Sequence, residues 1–127
     1  MDYEKLAKVM RELSLVAGDK IMEIYGRDDF EVKSKSDDSP VTEADEAADA
    51  IISAGLRAAF PDVLLITEEQ AATHSQQADT FLIVDPLDGT KEFVKRNGEF
   101  TVNIALVHKN KSVLGVIYLP VKDILYF

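Results

Sequence analysis

Two stretches in the first half of the chain repeat apolar residues at helical spacing. Between Tyr3 and Tyr25, apolar side chains recur every three or four positions, and Gly26 offers a stop. Between Thr42 and Phe60, small and branched apolar residues follow one face, and Pro61 comes directly after. The sequence therefore predicts two amphipathic helices, and the small residues of the second allow close packing on a sheet.

Short apolar runs indicate strands. Val63–Ile66 and Phe81–Val84 are continuous apolar runs, which are typical of strands covered on both faces. The segment 70–80 between them is polar and is predicted to be a loop. Earlier in the chain, Phe30–Ser36 alternates weakly like a short strand, and Asp37–Pro40 has the composition of a turn or mobile loop.

The last quarter of the chain predicts a hairpin and one further strand. Thr101–Val107 and Val113–Leu119 flank the polar segment His108–Ser112, the pattern of an antiparallel hairpin. Ile124–Phe127 is apolar again, and an exposed apolar strand at a chain end would invite aggregation. We therefore expect residues 1–127 to be the N-terminal domain of a longer polypeptide.

Together these elements predict an α/β fold of the layered α+β kind, with both helices packed against a largely antiparallel sheet. The pattern leaves the strand order open. A chain of 127 residues that is 46% apolar can bury a core as one domain without disulfides.

Charge and cysteine content exclude several classes of function. The formal net charge is −9, which argues against binding a nucleic acid polymer through a basic surface. It leaves phosphate chemistry open, because carboxylates can hold divalent cations that face a phosphate. The absence of Cys excludes disulfides, thiolate catalysis and cysteine-type zinc sites. With neither a secretory pattern nor a long apolar span, we expect a cytoplasmic protein.

Carboxylates follow two of the predicted strands. The run Asp85-Pro86-Leu87-Asp88-Gly89-Thr90 comes after one strand, and Thr67-Glu68-Glu69 comes after another. Ligands of open sheets bind at strand ends, and Mg²⁺ prefers oxygen donors, so the acidic residues are candidate metal ligands. An ordinary turn and a solvated strand end remain the alternatives.

Asp45 also has two interpretations. Thr42 with an acidic residue three positions later matches a capping box, in which both side chains satisfy amides of the first helical turn. Alternatively, Asp45 projects toward the carboxylates and accepts a hydrogen bond from Thr90 or from an attacking water.

Three segments, in this order and spacing, resemble motifs of the inositol monophosphatase superfamily: Ser39–Asp45, Thr67–Glu69 and Asp85–Thr90. The longer run Asp85–Leu106 is closest to one branch, the CysQ-type 3'(2'),5'-bisphosphate nucleotidases. The resemblance covers nearly the whole chain. It implies the N-terminal portion of the inositol monophosphatase and fructose-1,6-bisphosphatase fold.

The resemblance also implies roles for individual residues. Metal ligands would be Glu68, Asp85, the carbonyl of Leu87, and Asp88, with Asp85 bridging two ions. Asp45 and Thr90 would orient the attacking water, and Glu68 would share in catalysis. The phosphate-binding residues would be Leu87, Gly89 and Thr90, together with Glu68 through the metal that it binds. Glu69 would help the site only indirectly.

The same resemblance implies an activity and a cofactor. The reaction would be hydrolysis of adenosine 3',5'-bisphosphate to AMP and phosphate, a step of sulfur metabolism. Two or more Mg²⁺ ions would serve it, Mn²⁺ could replace them and Li⁺ would inhibit. The partner would be a small phosphate compound, with peripheral membrane association implied only by family analogy.

This sequence departs from the family pattern in two ways. Residues 1–127 contain neither the later Trp-Asp motif nor the C-terminal substrate subdomain, and Thr67 stands where Gly or Ser is common. Three alternatives stay open: an inositol monophosphatase, a truncated metal-binding module without turnover, and a purely structural α/β domain in which every carboxylate is a cap or a turn. The pattern leaves the oligomeric state open.

Overall fold

The computed structural model describes residues 2–27, 32–34 and 40–127. Both predicted long helices are confirmed, α1 at Tyr3–Tyr25 and α2 at Glu43–Ala59. Asp2 caps α1 by accepting a hydrogen bond from the Lys5 amide at 3.1 Å. Residues 37–39 of the predicted turn Asp37–Pro40, and the ends of the predicted strand Phe30–Ser36, lie outside the described residues. The last residue of that predicted turn, Pro40, instead begins a strand.

The described strands form one two-stranded and one five-stranded sheet. A short helix, α3, covers Thr90–Val94, and a 3₁₀ turn covers Ala71–Thr73 within the predicted loop. The strands are β1 Val32–Ser34, β2 Pro40–Thr42, β3 Leu64–Thr67, β4 Thr80–Asp88, β5 Thr101–His108, β6 Lys111–Leu119 and β7 Ile124–Tyr126.

The larger sheet has the order β3-β4-β5-β6-β7, in which β3 and β4 are parallel and the other pairs are antiparallel. The two long helices pack on each other and on one face of this sheet. Helix α2 contacts β3 and β4, and α1 contacts β5 and β6. The predicted layered α+β fold with a largely antiparallel sheet is confirmed.

The prediction of a strand covered on both faces is wrong for β4, whereas Leu64 and Ile66 of β3 are half-buried. Leu82 and Val84 are buried against the helices, whereas Ile83 between them is 42% exposed. On the same outer face, Ile117 of β6 is 46% exposed. Continuous apolar runs arise here because the outer face is itself apolar, although the described residues place no layer on it.

Two strand boundaries differ from the predicted ones. β4 continues past Val84 to Asp88, with a bulge between Asp85 and Asp88, since Pro86 cannot donate to the ladder. The hairpin is tighter than predicted, because only Lys109 and Asn110 connect β5 to β6. Both have positive φ, 49° and 67°, as a type I′ turn requires.

No helix among the described residues is long and apolar enough to cross a membrane.

Tyr118 fixes the packing of α1 on β6. A Cβ at Gly18 would lie 2.3 Å from Cε2 of Tyr118, so the ring packs directly on the helix backbone. The phenol donates to Asp123 Oδ1 at 2.7 Å. Burial, this hydrogen bond, and the charges of Asp123 and Asp19 raise the pKa of Tyr118 from 10.0 to about 12.

This raised pKa predicts a loss of stability in alkali. The unfolded phenol ionises near pH 10, whereas the folded phenol stays neutral up to about pH 12. The contribution of the Tyr118 phenol to the free energy of unfolding is therefore complete below pH 10 and is lost as pH rises from 10 to 12. Urea denaturation of the wild type and of Tyr118→Phe between pH 8 and 11.5 should give diverging curves, with the steeper fall in the wild type. Parallel curves would contradict this assignment.

Candidate active site

The parallel pairing of β3 and β4 places two predicted metal ligands side by side. Thr67 is opposite Val84, so Glu68 and Asp85 are the next residues of the two strands. The Glu68 amide donates to the Val84 carbonyl at 3.0 Å, which continues the ladder by one residue. The expectation that these strand ends meet at one edge of the sheet is confirmed.

A local network fixes the turn that carries Glu68. The buried Thr67 amide donates to the Thr73 hydroxyl at 3.1 Å, and that hydroxyl lies 2.7 Å from the Gln70 carbonyl, to which it donates. The Glu69 amide donates to the Thr67 hydroxyl at 3.2 Å. Glu68 is exposed and follows directly on this anchored backbone.

Asp85 and Asp88 lie on either side of the β4 bulge. Asp85 pairs with Asn103 in the ladder, and its Oδ1 is withdrawn from water. Asp88 is exposed, and its Oδ2 accepts a hydrogen bond from the side-chain nitrogen Nδ2 of Asn103 at 3.0 Å. The Thr101 hydroxyl donates to Asn103 Oδ1 at 3.0 Å, which leaves the Asn103 amide nitrogen directed at Asp88.

Gly89 makes the sharp change of direction between β4 and α3. Its φ of 96° belongs to the left-handed region, which a side chain disfavours. A Cβ would also lie 2.8 Å from the Glu99 carbonyl oxygen. Glycine at this position is therefore explained by backbone geometry, and Thr90 follows as the first residue of α3.

Asp45 caps α2 and also accepts the hydrogen bond from Thr90, and its role toward an attacking water stays a prediction. Its carboxylate is 0% exposed. Oδ2 accepts from the Thr42 backbone amide at 2.8 Å and the Thr42 hydroxyl oxygen accepts from the Asp45 backbone amide at 3.4 Å, so the capping box is present. Oδ2 also accepts from the Thr42 hydroxyl at 2.7 Å. Oδ1 accepts from the Thr90 hydroxyl at 2.8 Å. One carboxylate thus ties the start of α2 to the end of the acidic strand.

The Thr90 hydroxyl has a single proton and two acceptors within reach. Asp45 Oδ1 is at 2.8 Å and the Leu87 carbonyl oxygen is at 3.3 Å. The shorter contact to the charged oxygen is the stronger of the two. The proton therefore points at Asp45, which leaves lone pairs of Thr90 Oγ and of the Leu87 carbonyl available to a further group.

The structure thus joins some of the predicted residues and leaves others apart. Asp45, Thr90 and Leu87 are connected directly, and Glu68 is adjacent to Asp85 through the ladder. Across residues 2–27, 32–34 and 40–127, no three His, Asp or Glu side chains are grouped so that they could hold a metal ion. Convergence of Glu68, Asp85 and Asp88 on cations stays a prediction.

Sequence reasoning missed Asn103, which contacts Asp88, and Asp49, which lies one helical turn after Asp45. Asn103 is a polar residue in an otherwise apolar strand, which is the signal that could have identified it. Asp49 follows Asp45 by four residues and is buried, so it continues the same helix face. A polar position repeated at this spacing within a predicted apolar face was a usable signal.

Comparison with known proteins gives consistent matches along the chain. The sequence model of the inositol monophosphatase family matches residues 2–127. The 3'(2'),5'-bisphosphate nucleotidase CysQ of Escherichia coli K12 is 51% identical over 118 residues, covering 91% of this chain and 48% of its own length. The chain therefore spans about half the length of this relative.

Solved structures agree with the sequence match. CysQ from Bacteroides thetaiotaomicron, 45% identical, superposes with a TM-score of 0.79 and covers 99% of this chain and 46% of its own. The extragenic suppressor protein SuhB from Bartonella henselae, 34% identical, has a TM-score of 0.86 and covers 95% and 47% respectively.

The contact between Thr90 and Asp45 predicts a specific loss of stability. Thr90→Val keeps the shape but removes the donor to a buried carboxylate oxygen, which should lower the free energy of unfolding by about 1–3 kcal/mol. Thr90→Ser retains the hydroxyl and should lose less. Denaturant unfolding of the three proteins measures the difference. Equal losses in the two variants would show that the hydroxyl contributes nothing to the fold.

Proposed function

Because this chain belongs to the inositol monophosphatase family, we propose that it is the metal-binding half of a magnesium-dependent phosphomonoesterase. The proposed reaction removes the 3'(2')-phosphate of adenosine 3',5'-bisphosphate and gives AMP and phosphate. The Thr90–Asp45 hydrogen bond at the end of a carboxylate-bearing strand is the observation that carries the proposal. The names of the relatives about 50% identical to this chain support the nucleotide substrate.

The donor chemistry of the residues fits magnesium. Glu68, Asp85, Asp88 and the Leu87 carbonyl all offer hard oxygen atoms, the donors that Mg²⁺ prefers. The β3–β4 register holds two of these carboxylates on adjacent strands, and one carboxylate oxygen of Asp85 is shielded from solvent. We propose these four residues as ligands, with Mn²⁺ as a possible substitute and Li⁺ as an inhibitor.

In the proposed mechanism, Thr90 and Asp45 position the attacking water. Thr90 Oγ donates to Asp45 and can accept a hydrogen bond from the water through a lone pair. The water oxygen bonds to phosphorus, the ester P–O bond breaks, and the nucleoside oxygen leaves and takes up a proton. The proton lost by the water moves toward the Thr90–Asp45 pair or to solvent. Bound magnesium would lower the pKa of the water and offset the charge on phosphate.

We further propose that a second half completes the site, as the greater length of the relatives suggests. The outer face of the sheet supports this, because exposed Ile83 and Ile117 flank a hollow of about 350 Å³ that also borders Asp85 and Asn103. Apolar surface of this kind is normally covered. Sulfur metabolism is the proposed context of the nucleotide reaction.

The metal site predicts cation binding by the chain itself. We expect weak, saturable Mg²⁺ binding, and the largest loss of affinity in Asp85→Asn, since Asp85 would hold the metal with a carboxylate oxygen that is shielded from solvent. Isothermal titration calorimetry with Mg²⁺ and Mn²⁺ measures the affinity of each protein. Asp79→Asn is the matched control, because Asp79 is exposed in the loop before β4. Equal binding by the wild type and Asp85→Asn would contradict the metal assignment.

The proposed reaction predicts a substrate order and a mutational effect in a chain extended to the length of its relatives. With Mg²⁺, phosphate release should be fastest from adenosine 3',5'-bisphosphate, then inositol phosphate, then fructose bisphosphate.

In the same extended chain, Asp45→Asn should lower kcat by about 10²–10⁴-fold. The side-chain NH₂ of Asn would face Thr90 Oγ, so the Thr90 hydroxyl could no longer donate its proton there. Thr90→Val should act similarly, and the double variant should be little worse than either one.

The alternatives give different results in the same assay. Preference for inositol phosphate would favour an inositol monophosphatase. Cation binding without phosphate release from any of the three substrates would favour a binding module. Additive effects of Asp45→Asn and Thr90→Val on kcat would contradict their action as one unit.

A further inference from the structure

A buried polar stripe runs along the face of α2 that contacts the candidate site. It consists of Asp45, Asp49 and Ser53, which are spaced by four residues and so lie one above another. Their exposed fractions are 0%, 6% and 3%. The neighbouring buried residues of the helix are apolar, namely Ala44, Ala48, Ile52 and Leu56.

Gln70 joins the lower part of this polar stripe to the turn after β3. Its Nε2 donates to Asp49 Oδ2 at 2.8 Å and to Ser53 Oγ at 3.1 Å. Its Oε1 accepts from the Arg57 guanidinium at 2.8 Å. The Ser53 hydroxyl donates to Asp49 Oδ1 at 3.2 Å. Both polar atoms of the Gln70 amide are therefore bound to α2.

Asp45, at the N-terminal end of the polar stripe, contacts the segment that follows β4. Asp45 accepts from Thr90, which lies two residues after Asp88. Gln70 lies two residues after Glu68. One rigid helix thus holds both the turn that carries Glu68 and the segment that carries Asp88. The ladder bond from Glu68 to Val84 sets the backbone spacing of the two strands, and the attachments to α2 act on the segments that follow each strand.

The chemistry of the lower attachment suits a positioning role. Burial of a carboxylate such as Asp49 carries a desolvation penalty, and apolar packing would stabilise the helix with less penalty. Directional hydrogen bonds instead specify where the turn lies, because a fully satisfied network rigidifies its surroundings. Gln70 supplies an N–H donor to Asp49 without adding a charge close to Glu68.

We propose that Asp49 and Gln70 are positioning residues for the metal site: they hold the turn after Glu68 against α2 and so fix the direction of Glu68 relative to the end of β4. Neither residue binds the cation in this arrangement. The inference rests on the proposed function, since it assigns these residues an effect on the affinity for magnesium.

The test is a Mg²⁺ titration of the chain followed through its backbone amide NMR signals, which report weak binding and local structure together. In Gln70→Glu the Nε2 donor to Asp49 and Ser53 is lost and a carboxylate faces Asp49, so the turn should shift away from Asp49 and toward Arg57, which already donates to position 70. We expect Mg²⁺ affinity to fall about tenfold, the lower end for residues that orient metal ligands. Added negative charge alone would raise the affinity, so the direction of the change separates the two effects.

Two variants control for charge and for general destabilisation. Gln77→Glu adds the same charge to an exposed position of the same loop and should bind Mg²⁺ at least as tightly as the wild type. Asp49→Asn combined with Gln70→Glu reverses donor and acceptor at constant net charge. This double variant should regain most of the affinity, together with the wild-type signal and exchange protection of the Glu68 amide, which bonds to Val84.

The outcomes separate this inference from the proposed function. Unchanged or tighter binding in folded Gln70→Glu, or failure of the double variant to recover, would overturn the positioning role. If Gln70→Glu does not fold, Ser53→Ala removes one acceptor of the network and must weaken Mg²⁺ binding for the inference to stand. Binding that Asp85→Asn abolishes and Gln70→Glu leaves intact would support the metal site alone. A wild type that binds no Mg²⁺ would overturn both proposals.

Discussion

The arrangement of the candidate site depends on the buried carboxylate of Asp45. A buried charge is tolerated only when its hydrogen-bonding capacity is used, and here three donors surround it. Two come from Thr42 at the start of α2, and the third comes from Thr90 after β4. The requirement to satisfy one carboxylate therefore holds the start of α2 against the segment that follows β4.

The pairing of the strands places the other residues of the candidate site near this contact. Parallel pairing of β3 with β4 carries Glu68 to the edge where Asp85 lies, and the bulge around Pro86 re-aims the residues after it. Gly89 then allows a turn that a residue with a side chain would obstruct. Each of these features is modest alone, but together they direct Asp85, Asp88 and Thr90 toward the same end of the sheet.

The two faces of the sheet have different roles. Helices α1 and α2 cover the inner face. The packing is close, because the ring of Tyr118 lies directly against the backbone at Gly18. The outer face is apolar around Ile83 and Ile117, and Asp85 borders it. A carboxylate beside uncovered apolar surface suits a site that a further layer of protein would enclose, since excluding water strengthens electrostatic interactions.

The sequence by itself determined the local features of this protein. Helical periodicity located α1 and α2, the spacing of Thr42 and Asp45 specified the capping box, and the acidic motifs carried the family resemblance. Each depends on residues within a few positions of one another, where chain geometry alone brings the side chains together. The same reasoning misjudged the end of β4 and the covering of its outer face, because an apolar run has the same pattern whether or not a layer covers it.

Tertiary structure decided which distant residues meet. The Thr90 contact had been one of two interpretations of Asp45, and only the fold established that separate oxygens of one carboxylate serve both. The bonds from Asn103 to Asp88 and from Gln70 to Asp49 join residues 15 and 21 positions apart. Such pairs depend on strand register and helix packing, which result from burial of the whole core, so no local pattern could specify them.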